Sequence, residues 1–376
     1  MTEQARVNHS ICFGEDVEIV NHFQEHGYVV VSQIFTEEEV DSAVSELWTS
    51  PRLLARCPHV RRSDPATWTS ENWSQQDGGK NFLESLDVFQ DTACWRLAEN
   101  PKVSHVYDIL MRSYGSNTGV MLARTPRWGV MRPAAKRREW RTEEAWLHWD
   151  QNPWTLPGFH QVQGFACLTE HTSSSGGFLC VPGFQKQWEQ WGQYHPEGSV
   201  CVDGRAITRE HGEANPFPVP SDDAAQKGVV RILAPKGSII LWDGRLPHQN
   251  YPNCSEDEFR IVLYFAFKQK SEELEAQRRD FLRRRFTVMY ALGIQAWWPA
   301  GLSEHGRAIS GAPTEGDLEA AKALLEENPK LSEAIRRTQL AGEDELRGEL
   351  DASTAKLRSA LKLFPEIESW HEVIFL

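Results

Sequence analysis

Trp146-Leu-His-Trp-Asp-Gln-Asn-Pro-Trp154, read with Ser238-Ile-Ile-Leu-Trp-Asp-Gly-Arg-Leu-Pro-His-Gln-Asn250, decides how this chain is understood. In an extended chain, side chains at i and i+2 point to the same face. His148 and Asp150 therefore offer an imidazole and a carboxylate side by side. His248 follows a strand-like run and a turn. Brought in by the fold, it completes a two-histidine, one-carboxylate face that leaves positions open on an octahedral Fe(II).

Arg260 is the fourth informative residue. The run Phe259-Arg-Ile-Val-Leu-Tyr-Phe-Ala-Phe267 is apolar apart from that arginine and a tyrosine. Such a run reads as a strand buried on both faces. A guanidinium at its head needs an anionic partner, because an unpaired buried charge is costly. No acid stands at a matching strand position, and a carboxylate ligand would satisfy the planar fork. An arginine close behind the last histidine, waiting for a carboxylate, points to 2-oxoglutarate. The bland alternative is a salt bridge to an acid elsewhere in the fold.

His-x-acid pairs also arise by chance. His195-Pro-Glu197 and His211-Gly-Glu213 have the same form. Both sit among Pro and Gly in loop-like sequence, which argues against a strand. His148 sits instead beside Trp146, Leu147 and Trp149, in a strand-compatible context.

With these residues in place, the chain resembles the phytanoyl-CoA dioxygenase family over roughly residues 15–267. The resemblance rests on Phe23-Gln-Glu-His-Gly-Tyr-Val-Val-Val31 with the helix from Thr36, on His148-Trp-Asp150 with Trp154, on Ser175-Gly-Gly-Phe-Leu-Cys-Val-Pro-Gly183, and on Gly237 to Arg260. In one place the chain departs from the pattern: Phe184-Gln185 replaces the Ser-His usual after Pro-Gly. The resemblance implies a mainly β fold with flanking helices, a double-stranded β-helix (jelly-roll, cupin-like) core. It implies an Fe(II)- and 2-oxoglutarate-dependent dioxygenase using O2. His148, Asp150 and His248 would hold the iron, Arg260 would pair with the distal carboxylate of 2-oxoglutarate, and Asn250 would help to hold that cosubstrate. A turn-stabilising role is the plain alternative for Asn250.

The expected outcome is hydroxylation of a C–H bond of a small organic substrate, with release of succinate and CO2. Desaturation, cyclisation and epoxidation use the same iron face. Halogenation is disfavoured, because it needs the carboxylate position that Asp150 fills. A cupin-like metal-binding scaffold without turnover is the rival from another class, and it would have no use for Arg260.

Composition sets the outer bounds. The chain has 376 residues, 40% hydrophobic and 25% charged, an ordinary globular balance. A net charge of −13 argues against general nucleic-acid binding. No apolar stretch is long enough to span a membrane and no signal peptide opens the chain, so a cytoplasmic protein is expected. The seven dispersed cysteines, without Cys-x-x-Cys, suggest reduced thiols.

Along the chain, residues 16–26 read as a helix ended by Gly27, and Thr36-Glu-Glu-Glu39 as a capping box. Residues 50–80 read as a loop and 91–114 as helical. Val229–Leu233, Ser238–Trp242 and Phe259–Phe267 are the clearest strands. The polar segment 192–228 reads as an insertion of the kind that forms lids. Residues 1–270 form the expected catalytic domain and 271–376 a C-terminal helical extension, with helices at 271–291, from the Thr314 cap, and at 343–363. That tail is expected to pack on the barrel or on a second subunit, the latter making a homo-oligomer.

Two basic islands stand out. One runs from Arg124 to Arg141, the other from Arg278 to Arg285. Solvated faces are their ordinary meaning. The functional reading is an anionic substrate meeting Arg137 and Arg138, with Trp154 walling the pocket.

Overall fold

A computed structural model describes residues 6–50, 57–73, 82–83, 92–123, 125–142, 146–202, 205–208, 217–293, 301–312, 314–346 and 350–370. Two open sheets pack on each other. The larger runs in the order Ile11–Cys12, Tyr28–Ser32, Ile239–Asp243, Val162–Cys167, Arg260–Gln269, Arg127–Met131, Phe82–Leu83, and Val120–Leu122 also pairs with Arg260–Gln269. The smaller runs Arg6–Val7, Val230–Ile232, Gly177–Cys180, His248–Tyr251, His148–Trp149, Phe217–Pro218. Most pairings are antiparallel, in the manner of the expected jelly-roll core.

Period-two alternation sorts the larger sheet into two cores. Tyr28, Val30, Phe165, Cys167, Ile240, Trp242 and Val262 point inward and meet Phe178, Cys180 and Ile232 of the smaller sheet. Val29, Val31, Ala166, Ile239, Leu241, Ile261 and Leu263 point outward, into a second cluster under the helices. This is why Arg260–Gln269 reads as a continuous apolar run: both of its faces are covered. Each fully buried large apolar side chain stabilises by about 1.5–3 kcal/mol.

The helix Asp16–His26 ends at Gly27, whose φ of 76° is left-handed. Gln185, one of the two residues departing from the family pattern, sits on that helix end: its Nε2 donates to the Gln24 carbonyl at 3.1 Å. The capping box at Thr36 forms as read, with Thr36 and Glu39 bonded reciprocally, and the helix Glu37–Thr49 follows. Residues 192–228 begin inside the short helix Trp188–Tyr194, and residues 203–204 and 209–216 of that segment, His211 included, lie outside the described residues.

Beyond residue 271 the chain is helical: Glu272–Ala291, Glu304–Ser310, Glu315–Glu327, Pro329–Leu346 and Leu350–Leu363. The sequence reading misses the helices Glu304–Ser310 and Pro329–Leu346. Only Asn328 separates the latter from the helix before it. Leu282, Phe286, Leu331 and Ile335 belong to the same apolar cluster as Tyr107 and Val120, so this region shares the outer core of the sheet.

The second basic island is not a solvated face. Arg278 and Arg285 are buried. Arg278 Nε donates to the Ser310 carbonyl at 3.1 Å, and burial pulls its guanidinium down to about 10. Arg283 pairs with Asp317, and Arg284 with Asp280. Arg278 and Arg283 fasten this helix to its neighbours, and the Arg284–Asp280 pair lies within it. No helix among the described residues is long and apolar enough to cross a membrane. None of the seven cysteines is in a disulfide among the described residues.

Candidate metal centre

His248 and His148 are direct cross-strand partners in the smaller sheet. His248 also pairs with Cys180, and Asn250 with Phe178, both inward-facing residues, so His248 and Asn250 face the interior. Asp150 lies just past the two-residue strand His148–Trp149, not within it. Its backbone N–H leaves the ladder and donates to the Gly244 carbonyl at 3.1 Å.

The three side chains converge. Their candidate ligand atoms all lie within 4.8 Å of one another, and no other group of three such residues does so among the described residues. His148 Nε2 stands 3.8 Å from Asp150 Oδ1, and His248 Nε2 3.4 Å from Asp150 Oδ2. The opposite ring nitrogens are engaged: His148 Nδ1 at 3.1 Å from the Trp146 carbonyl, His248 Nδ1 at 2.9 Å from that of Leu246. A carbonyl only accepts, so each Nδ1 carries a proton, and each Nε2 is turned to the carboxylate side. Two buried imidazoles and a half-buried carboxylate, aimed at one point, are a donor set that fits Fe(II).

Aromatic rings enclose the cluster. Trp146 stacks on His148 with centroids 4.8 Å apart, and Trp242 and Phe178 pack on His248 at 4.9 and 5.7 Å. Trp242 Nε1 also donates to Asp150 Oδ2 at 3.1 Å. The sequence reading passes over Trp242, whose only signal is its inward place in Ile239–Asp243.

Arg260 shares the inner face with Val262 and Tyr264, two and four residues on. It is fully buried. Its Nη2 donates to Asn250 Oδ1 at 3.3 Å, its Nη1 lies 3.7 Å from Met131 Sδ, and its Nε has no hydrogen-bond partner. It forms no ion pair with any carboxylate among the described residues. The Tyr264 hydroxyl donates to the same Asn250 oxygen at 3.0 Å. Asn250 is thus a strand residue that braces two donors, and the turn-stabilising reading does not apply.

The remaining residues lie differently. Trp154 packs edge-on against Phe217, and its indole N–H donates to the His195 carbonyl at 2.9 Å. Arg137 is exposed, 3.8 Å from Glu139, and lines a surface cavity with Pro65, Trp68, Trp140 and Glu256. None of the three clustered residues lines that cavity. Arg138 opens the exposed turn Arg138–Trp140.

Comparison with known proteins adds to this geometry. The family model for phytanoyl-CoA dioxygenase (PhyH) matches residues 23–262. Dioxygenase af480 of Aspergillus fumigatus is 25% identical over 252 residues, covering 65% of this chain and 63% of its own length. This chain thus spans less than two thirds of that relative. A putative phytanoyl-CoA dioxygenase of Dictyostelium discoideum is 20% identical over 269 residues, covering 62% of this chain and 70% of its own. Among solved structures, the epimerase SnoN in complex with Fe3+, alpha ketoglutarate and nogalamycin RO is similar with a TM-score of 0.43 and 16% identity, over 68% of this chain and 84% of that one.

Proposed function

The chain belongs to the phytanoyl-CoA dioxygenase family, and from that premise we propose that it is an Fe(II)- and 2-oxoglutarate-dependent oxygenase that hydroxylates a C–H bond of a small organic substrate. His148, Asp150 and His248 hold the iron through the two Nε2 atoms and the carboxylate. Arg260 holds the distal carboxylate of 2-oxoglutarate, with Asn250 fixing the guanidinium. When bound, iron and 2-oxoglutarate supply the oxidative decarboxylation that yields succinate and CO2 and spends the second oxygen atom of O2 on the substrate.

The protein's own part is positional. The two backbone carbonyls fix the imidazole tautomers. Trp242 fixes the carboxylate. Trp146, Phe178 and Trp242 keep water away from the ring nitrogens.

The observation that carries the reading is Arg260: a fully buried guanidinium, on the same inner face as the metal cluster's surroundings, whose partners are an amide oxygen and a thioether. A metal-binding scaffold without turnover gives that arginine no task, and an unpaired buried charge is expensive to keep. Titration of 2-oxoglutarate into Mn(II)-loaded protein, followed by mass-spectrometric detection of succinate from the Fe(II) protein across a substrate panel, tests it. Saturable binding and iron-dependent succinate, both lost in Asp150→Ala, are expected. Absence of 2-oxoglutarate binding to the metal-loaded protein would refute the reading.

A further inference from the structure

His171 stands in the same interior and has no part in the metal cluster. It follows the inward-facing strand Val162–Cys167 and is anchored by an isolated bridge to Ala234. It is 2% exposed. Its ring lies 5.6 Å from the ring of Phe165, and the guanidinium carbon of Arg260 lies 5.1 Å over that same ring. Its Nδ1 is 3.9 Å from the thiol of Cys167. Its Nε2 is buried with no hydrogen-bond partner.

The protonation of this group follows from its surroundings. The charged groups whose fields reach the ring are Arg260 and Arg231, both cations. Burial first, and then those two, holds the His171 ring well below the ordinary histidine range. The ring is neutral and carries one proton. Burial pushes the Cys167 thiol up to about 12, so that neighbour keeps its S–H. In the tautomer in which the thiol donates to Nδ1, the ring proton is on Nε2, the buried atom with no hydrogen-bond partner. Buried donors are nearly always satisfied, so an isolated one, with an equally unsatisfied guanidinium Nε packed near the same Phe165 ring, marks a place for an acceptor. Two cations nearby make an anionic acceptor the favourable one.

We propose that His171 is a positioning residue for the dicarboxylic cosubstrate: its Nε2–H donates to the distal carboxylate that Arg260 pairs with, and the two together select a dicarboxylic over a monocarboxylic 2-oxo acid. This rests on the oxygenase reading above. It assigns to a neutral imidazole a role that the triad, Arg260 and Asn250 do not cover.

The test compares two ligands on Mn(II)-loaded protein by calorimetry. One is 2-oxoglutarate. The other is 2-oxopentanoate, of the same chain length but without the distal carboxylate. A hydrogen bond to a charged group is worth enough that His171→Leu should weaken 2-oxoglutarate about tenfold or more. Affinity for 2-oxopentanoate should not move, and His171→Gln, which keeps a donor, should recover part of the loss. Histidine-ring nitrogen NMR on native protein gives an independent readout: the His171 Nε2 resonance should shift on adding 2-oxoglutarate and stay put with 2-oxopentanoate. Undiminished 2-oxoglutarate affinity in His171→Leu, equal losses for both ligands, or an unmoved Nε2 resonance would overturn the role of His171. If those results come while Arg260→Leu still weakens 2-oxoglutarate, the oxygenase reading stands and only the histidine is dismissed. If native protein fails to bind 2-oxoglutarate at all, both fall together.

Discussion

The indole Nε1 of Trp242 donates to Oδ2 of Asp150 at 3.1 Å, across 92 residues of sequence. The same carboxylate oxygen lies 3.4 Å from His248 Nε2, so the tryptophan orients the group that would carry the metal's only negative charge from this cluster. Partners of this kind commonly tune metal affinity by about 10–100-fold. Trp242→Phe keeps most of the ring and loses the donor. Mn(II) affinity should fall by about tenfold or more, with the unfolding midpoint little changed. Unaltered affinity would show that the indole only packs.

Arg260→Leu should separate cosubstrate from metal. Truncating one side of a buried charged pair costs about 2–5 kcal/mol, so the 2-oxoglutarate dissociation constant should rise by more than tenfold. Mn(II) affinity should be unchanged, because Arg260 bonds Asn250 and Met131, not the cluster. Equal 2-oxoglutarate affinity in native and variant protein would remove Arg260 from the site.

Acid should weaken the fold through His22. Burial first, then the neighbouring His26 and His9, holds its ring down to about 4 from 6.5. The unfolded chain therefore binds more protons than the folded one between those two values. Stability rises with pH across that window, is fully present above 6.5 and is lost as pH falls towards 4. Buried His171, also shifted down, acts with the same sign. Melting temperatures of native and His22→Gln protein, taken from pH 4 to 7, should converge at the acid end. Parallel curves would sink this assignment.

Gly164 faces the helix layer where there is no room for a methyl group. A Cβ there would collide with Leu241 Cδ2 and come within 2.7 Å of both the Ile240 carbonyl oxygen and the Tyr107 hydroxyl. That hydroxyl donates to the Phe265 carbonyl at 3.1 Å, fastening helix Pro101–Ser113 to the sheet. Overpacking of this kind costs about 1–3 kcal/mol. Gly164→Ala should lower the urea midpoint accordingly while leaving Mn(II) binding intact. A midpoint equal to native would mean that the helix yields without strain.

Much of this was legible because it is periodic or local. His148 and Asp150 still converge even though the strand stops at Trp149 and the chain bends at Asp150. The apolar run from Phe259 announced two covered faces, and the structure supplies two cores. Trp242 and His171 were not legible as site residues. Their partners come from cross-strand register and from the packing of the two sheets, which no spacing within one segment encodes. The arginines from Arg278 to Arg285 misled for a related reason. A charge run looks solvated until the helices that cover it are in place, and here Ser310 and Asp317 do so from other helices. The helix Pro329–Leu346 was missed because its start follows the preceding helix after a single residue, which blurs both ends.

The pairing of His148 with His248 would also make any metal bound there a folding clamp. The ligands lie in segments about a hundred residues apart, so their convergence exists only in the native chain, and an unfolded chain offers nothing comparable. Any ion they bind must then shift the unfolding equilibrium by mass action, by about 2.7 kcal/mol once its free concentration is a hundred times the dissociation constant. Chelating a bound ion would then loosen the whole sandwich as well as empty the site.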